Sequence, residues 1–479
     1  MRILLVRPHT ELLVARRLQN GFLHLEPLEL EIVAGAVPAD DSVAILDLTL
    51  ERRPVEVFRE RLARLRPELI GFTGYSSNAL TVKALARLAK EHAPDPVTVV
   101  GGIHATIVPA DYAVDGIDLI VRGEGGTVFA EILQRVKTGK PLPFRDCALS
   151  PRDPGFAAAC DLPPPAYPAL REIPPARRDL VDRSRYFCVW TSSETKRLAT
   201  MFPRVATVRT SIGCVYDCSF CVVHQLLHGK YLQREPEDVV AEIAALAEDY
   251  VYFVDDEMFL NERRMTRIAE LLLERGIRKH YFSWARSDTI TRHPELFRLW
   301  HRAGLSAVYV GLEVMDDAVL ARYNKKLSAE TNRQAVALLR DMGITLHANF
   351  LVAPDFSDAD FDRLEQEVAA LCPAEVSFTV LSPSPGTSDW FAARPNFICD
   401  PFRFYDCMHT LLPTRLPMAR FYARFARLTS LSMRANPLRV NKIRPPWHEI
   451  ARAIFRGTAY IIALRTIHRD YPHASSEHR

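Results

Sequence analysis

Strand and helix signals alternate twice along this chain, and a proline-crowded stretch separates the two runs. No other feature restricts the fold as much, because strands joined through helices lie parallel with right-handed crossovers. In the first run, short apolar strands are predicted at Arg2–Val6, Val43–Leu48, Leu69–Thr73, Val97–Val100 and Leu119–Val121. Helices are predicted at Pro27–Ala36 and Val55–Leu65, after Asn78 through Lys90, and after Gly126 through Arg135. In the second run, strands at 206–211, 250–254, 281–285, 307–311, 346–352 and 376–381 alternate with helices near 236–247, 262–275, 294–303, 329–342 and 358–371. Six such units predict a partial (β/α) barrel, since an eight-fold barrel needs more repeats. Between the runs, periodicity fades among Pro163-Pro-Pro165 and Pro174-Pro175, which reads as a linker packed partly on its neighbours. The expected division is 1–140, 141–205, 206–392 and a mostly helical 393–479, in an α/β chain overall.

Three function classes recede on composition. A net charge of +3 over 479 residues predicts no broad cationic surface, so nucleic acid is not an expected partner. No apolar run approaches the roughly 18 residues that span a bilayer. The start, Met1 to Pro8, holds only four apolar residues before a charge, too few for a secretion signal. A cytoplasmic protein is expected, and with it no disulfide framework. Six of the nine cysteines are scattered accordingly, but three are not.

Those three sit in Thr210-Ser-Ile-Gly-Cys214-Val-Tyr-Asp-Cys218-Ser-Phe-Cys221, directly after the first strand of the second run. Three thiolates on a tight loop can hold three corners of a [4Fe–4S] cubane, whereas ordinary ferredoxin clusters use four cysteines. The open iron can take the amino and carboxylate groups of S-adenosylmethionine. The alternative is a zinc site completed by His224. The motif resembles that of the radical-SAM superfamily over roughly residues 205–390, and Phe220 fits the aromatic before the last cysteine. The resemblance implies further cofactor contacts at strand ends: Asp255, Asp256 and Glu257 for the methionine amino group, and Arg286 for its carboxylate. It also implies Glu313 for the ribose and the loop around Pro385 for the adenine. Acids at strand ends also serve as helix caps, which is the competing role at each position.

In the first run the dinucleotide fingerprint is absent, because Val6-Arg-Pro-His-Thr10 carries no glycine. Glycine-rich loops follow the later strands instead: Thr73-Gly74-Tyr75-Ser76, Gly101-Gly102-Ile103-His104 and Gly123-Glu124-Gly125. Glycines there let backbone approach a large flat macrocycle. These loops resemble the Rossmann-like cobalamin-binding domains of cobalamin-dependent radical-SAM enzymes. The Asp-x-His-x-x-Gly motif of methionine-synthase-like domains is missing, so cobalt is expected without a histidine below it, with Tyr75 covering that face. His104 reads either as a contact or as a histidine hydrogen-bonded within its loop.

Together these features resemble the cobalamin-dependent radical-SAM methylases, which implies two molecules of S-adenosylmethionine, one feeding methylcobalamin and one cleaved to generate a radical. Arg7-Pro-His-Thr-Glu-Leu-Leu-Val-Ala-Arg16 and Leu25-Glu-Pro-Leu-Glu-Leu-Glu-Ile32 resemble the hopanoid C-3 methylase family. That implies a lipid substrate and a reductant such as flavodoxin or ferredoxin. Arg420, Arg424 and Arg427, among the aromatics of 418–431, together with the stretch Ala451–Arg465, would suit peripheral contact with the inner face of the cytoplasmic membrane. An amphipathic helix packed on the barrel is the competing reading. Two alternatives stay open: an enzyme acting on another natural product or a tetrapyrrole, as methylase or cyclase, and a cobalamin or iron–sulfur sensor without turnover. A methylthiotransferase would need a second, N-terminal cysteine triplet, which is absent.

Overall fold

The computed structural model describes residues 1–92, 95–190, 201–435 and 446–471. The linker expected at 141–205 and the C-terminal region at 393–479 therefore lie partly outside the described residues.

The first sheet contains β1 (Arg2–Arg7), β3 (Ser42–Asp47), β4 (Leu69–Thr73), β5 (Val97–Gly101) and β6 (Leu119–Val121); the short β2 (Leu23–His24) lies outside it. Strand β7 (Ala148–Leu149) adds an antiparallel edge, giving the order β3-β1-β4-β5-β6-β7. The five main strands are parallel, and the order reverses between β1 and β4. In such open sheets, ligands sit beyond the carboxyl strand ends at that reversal. Both faces are covered, by α2 (Leu28–Gly35), α3 (Pro54–Leu65), α4 (Ala79–Lys90), α5 (Ile103–Ile107) and α6 (Gly126–Lys137), whereas α1 (Leu13–Phe22) turns Val14, Leu18 and Phe22 towards the core of the second sheet. Two apolar cores result, one on each side of the sheet.

The linker carries α7 (Phe156–Cys160) and β8 (Phe187–Cys188), and β8 pairs with β2. The second sheet begins at β9 (Val205–Val208), followed by a small hairpin of β10 (Ser211–Ile212) and β11 (Leu232–Gln233). It continues through β12 (Tyr250–Phe253), β13 (His280–Trp284), β14 (Leu305–Glu313), β15 (Thr345–Val352) and β16 (Glu375–Val380). All six strands are parallel and in sequential order, and β9 and β16 remain edges. The expected partial barrel and α/β class are therefore present. Its helices are α8 (Val223–Leu227), α9 (Pro236–Ala245), α10 (Glu262–Glu274), α11 (Ser287–Arg292), α12 (Pro294–Ala303), α13 (Asp317–Arg322), α14 (Ala329–Met342), α15 (Asp358–Leu371) and α16 (Ser388–Ala393). Their starts carry clear signals. Ser357 and Asp360 form a reciprocal capping box at α15, and Ser328 accepts the Thr331 N–H at 3.1 Å at α14.

Helices α17 (Met418–Ala435) and α18 (Trp447–Thr466) pack together; α17 also lies on β16, and α18 on α1. The three arginines expected at a membrane are engaged elsewhere. Arg420 pairs with Asp358 at 2.7 Å, Arg424 with Asp362, and Arg427 with Glu365 at 3.2 Å, all on α15. Phe421, Tyr422 and Phe425 are buried in the core, so α17 is a packed amphipathic helix. No described helix is long and apolar enough to cross a membrane.

A buried ionic knot joins the two halves. Glu26 accepts hydrogen bonds from Arg178, from Arg183 at 2.7 Å, and from the Thr207 N–H at 2.6 Å at β9. Glu31 lies beside it with both carboxylate oxygens buried and without a hydrogen-bond partner. Burial, with Glu26 adding repulsion, pushes Glu31 up to about 8. A carboxyl raised on folding stabilises the fold fully below its unfolded pKa, near 4.3. That contribution falls as pH climbs towards the folded value. Glu31→Gln is thus expected to flatten the loss of stability between mildly acid and mildly alkaline pH, read as the urea midpoint at each.

Candidate functional site

The three cysteines occupy the loop between β10 and α8. Its entry is fixed by Asp255, which follows β12 and accepts the Thr210 N–H at 2.6 Å and the Ser211 hydroxyl at 2.6 Å. Next to it, Asp256 accepts the Gly213 N–H at 2.7 Å. Gly213 has φ +96°, and a Cβ there would run into the Lys230 carbonyl, so no larger residue fits. The far side of the loop is tied to later strand ends. Ser219 N–H donates to the Tyr323 carbonyl at 3.1 Å, Ser384 N–H donates to the Phe220 carbonyl at 3.2 Å, and the Ser219 hydroxyl donates to Asp389 at 2.7 Å.

Within this frame the three thiols lie within electrostatic reach of one another. Burial pushes Cys214 up to about 11 and Cys221 up to about 12, so iron must displace protons to bind. Arg286 reaches the Cys218 sulfur at 3.9 Å and stacks on Tyr216 at 3.5 Å. Its other nitrogens are held by Asp288 at 2.9 Å and the Lys325 carbonyl at 2.6 Å. Lys325 pairs with Glu313 at 2.6 Å. Burial opposes its charge, but Glu313 and the Cys218 sulfur more than offset this and leave its pKa raised. Glu257 is buried with one oxygen lacking a partner, and burial pushes it up to about 8. Among the described residues, no three His, Cys, Asp or Glu side chains converge on a single point as a zinc site requires. A cubane, whose irons are spread apart, needs no such convergence. The donor set and the orphaned Glu257 oxygen fit a cluster with one iron left for an amino acid ligand.

The glycine-rich loops lie across from this centre. A cavity of about 420 Å³ opens between the two sheets at the strand reversal. Thr73, Gly74, Tyr75, Gly101, Gly102, Gly123, Glu124 and Gly125 line its first-sheet side. Arg209, Ile212, Leu226, Val254 and Asp256 line the side nearer the cysteine loop. Tyr75 projects into it and is 53% exposed. Glu124 accepts from Tyr167 of the linker, and Arg209 reaches both, at 3.4 Å each. An apolar-walled space with a glycine floor between two sheets fits a large flat macrocycle.

Some expected contacts stand elsewhere. His104 is wholly buried outside the cavity, with its ring nitrogens on Ser76 at 3.0 Å and Asp111 at 2.9 Å, so His104 and Ser76 brace their own loops. Gly102 has φ +101°, and a Cβ there would meet the Gly74 carbonyl at 2.7 Å. Loop-on-loop packing already requires glycine here, at a position that also lines the cavity. Asp255 is engaged by the Thr210 N–H and hydroxyl and by the Ser211 hydroxyl, and so fixes the entry of the cysteine loop. Phe220 packs edge-on to Tyr323, and Pro385 is buried in the loop over it. Tyr216, Lys325, Tyr167 and Arg209 were not singled out from sequence. Of these, only Tyr216 lies inside the cysteine motif, where an aromatic between ligands was a usable signal.

Comparison with known proteins agrees with this two-centre arrangement. Residues 21–133 match the family model described as B12 binding domain, and residues 208–368 match the one described as Radical SAM superfamily. The chain is 31% identical over 407 residues to a hopanoid C-3 methylase of Methylococcus capsulatus, covering 84% of this chain and 75% of that one. It is 29% identical to an anaerobic magnesium-protoporphyrin IX monomethyl ester cyclase of Rubrivivax gelatinosus, over 63% of this chain and 54% of that protein's length. In fold it resembles OxsB, a cobalamin-dependent S-adenosylmethionine radical enzyme, with a TM-score of 0.61 at 15% identity over 97% of this chain and 71% of that one.

Proposed function

Because this chain belongs to the cobalamin-dependent radical-SAM methyltransferases, with a [4Fe–4S] cluster, S-adenosylmethionine and cobalamin as its cofactors, we propose that it methylates an unactivated sp³ carbon of a triterpenoid, C-3 of a hopanoid A-ring. Cys214, Cys218 and Cys221 hold the cluster in this reading. Glu257, Arg286 and the Glu313–Lys325 pair surround the methionine and ribose, and the loops of the 1–140 region hold the corrin. When bound, these groups supply a radical able to take hydrogen from an sp³ carbon and a methyl group to replace it.

The inner wall of the barrel carries the substrate assignment. Tyr252 and Phe282 stack with centroids 4.7 Å apart, and Trp284 lies 4.0 Å from Tyr309. His347 stands beside Phe282, and burial pushes it down to about 4, so it is neutral. Asn349, Ser377 and Thr379 continue this wall, and Glu375, in register with His347, stands on the same face at the start of β16. A wall of aromatics on which these strands place no arginine or lysine suits a rigid alicyclic hydrocarbon. A tetrapyrrole bearing carboxylates would call for arginine or lysine there, which disfavours the cyclase-like alternative. The chain's own residues orient the lipid and keep water from the reacting carbon. A reductant of flavodoxin or ferredoxin type completes the proposal.

The test is anaerobic reconstitution with iron, sulfide and hydroxocobalamin, followed by reduction with S-adenosylmethionine and detergent-dispersed diplopterol. A lipid heavier by one methylene, with both 5′-deoxyadenosine and S-adenosylhomocysteine, is the expected result. Deoxyadenosine with an unchanged lipid would overturn the substrate and leave the radical chemistry.

A further inference from the structure

The two faces of α18 have opposite fates. Gly457, Tyr460, Ala463 and Leu464 are buried. Tyr460 packs on Phe22 of α1 with centroids 5.7 Å apart and lies within electrostatic reach of Tyr309 on the barrel's inner wall. The outer face carries Trp447, Ile454, Phe455 and Ile462, which are 78, 64, 70 and 59% exposed. These are four of the five most exposed large apolar side chains among the described residues. With Ala451 and Thr458 they form one stripe at helical spacing, running most of the helix length. A continuous apolar stripe left in water marks a contact surface.

The charges beside the stripe are of one sign. Glu449, the acid of α18, is turned inward and accepts the Met201 N–H at 2.8 Å. Phe455 and Arg456 share a cavity of about 410 Å³ with Arg16, Arg17 and Arg52. Glu51, on the same rim, is bound by Arg185 at 3.0 Å. Arg452 and Arg465 are exposed on α18 itself. A second copy of the chain would bring this cationic rim against itself, since a two-fold interface pairs each patch with its own image. Lipid phosphates meet it with the opposite sign.

We propose that the outer face of α18 docks on an anionic bilayer, with Trp447, Ile454, Phe455 and Ile462 at the acyl–headgroup boundary and the arginines of α1 and α18 at the phosphates. The helix then forms the wall between the membrane and the interior of the barrel. This surface stands whichever molecule accepts the methyl group.

The test uses full-length, cofactor-loaded protein and sedimentation with vesicles. The expected result is binding to vesicles of equal parts phosphatidylglycerol and phosphatidylcholine, and at least about tenfold weaker binding to phosphatidylcholine alone. Ile454→Glu/Phe455→Glu should weaken binding by about tenfold or more. Retained cobalamin absorbance shows that this variant is folded, and Arg16→Glu/Arg17→Glu provides a second variant with the same expected direction. No sedimentation of the parent protein, or unchanged sedimentation of both variants, would overturn the proposal. So would a dimer that the apolar variant dissolves while vesicles are ignored. Turnover of detergent-dispersed diplopterol is unaffected by any of these outcomes and tests the substrate separately.

Discussion

Alanine at Cys218 is expected to abolish turnover while leaving cobalamin in place. Cys218 is the most buried of the three loop cysteines, 8% exposed, with Arg286 at 3.9 Å and the cation of Lys325 in electrostatic reach. Both cations are held there by carboxylate partners, Asp288 and Glu313, so a cysteine ligating the cluster at this position would meet fixed positive charge. Removing it leaves two thiols for the cluster. Deoxyadenosine formation should fall at least about a thousandfold, the scale seen when one member of a cooperating catalytic set is lost. Iron content and visible cluster absorbance should fall with it. Cobalamin should remain, because its cavity is floored by the loops after β4, β5 and β6. Cys160→Ala, in α7 of the linker, provides the control and should behave as the parent protein. Native rates of deoxyadenosine formation in the Cys218 variant would remove the cysteine loop from the reaction.

What the sequence disclosed, it disclosed through periodicity. The strands expected at 346–352 and 376–381 are Thr345–Val352 and Glu375–Val380, and the helices at 294–303, 329–342 and 358–371 have those bounds. Buried parallel strands are short apolar runs and helix starts carry caps, so both signals are local. Helix α1 went unread although Val14, Leu18 and Phe22 repeat every fourth residue, because arginines and Gly21 break up its apolar run. Long-range partners were beyond reach. Asp255 looked like its neighbours in Asp255-Asp256-Glu257, and only the pairing of β9 with β12 brings Thr210 and Ser211 onto it. Arginine spacing could not tell α17 from α18, since the difference lies in the acids of α15 that neutralise the first and leave the second.

The same dependence on distant partners makes Glu26 the most sensitive position away from the cysteine loop. Its carboxylate is fully buried and serves Arg178, Arg183, the Thr207 N–H and the Thr207 hydroxyl at 2.8 Å. These groups come from the linker and from β9, so one side chain of the first half holds the second in register. Breaking a buried pair from one side costs about 3–5 kcal/mol, because the opposite charge stays behind unpaired. Here the lower end applies, about 3 kcal/mol, since Arg178 keeps Glu242 at 2.6 Å and Arg183 keeps Glu248 at 2.6 Å. Glu26→Ala should therefore lower the urea midpoint, followed by two probes because a chain this long need not unfold in one step. Glu26 and Thr207 also line the cavity proposed for cobalamin, so the variant should release cobalamin more readily than the parent. An alanine variant as stable as the parent would mean that Glu242 and Glu248 alone satisfy both arginines. The joint between the halves would then rest on apolar contact rather than on this knot.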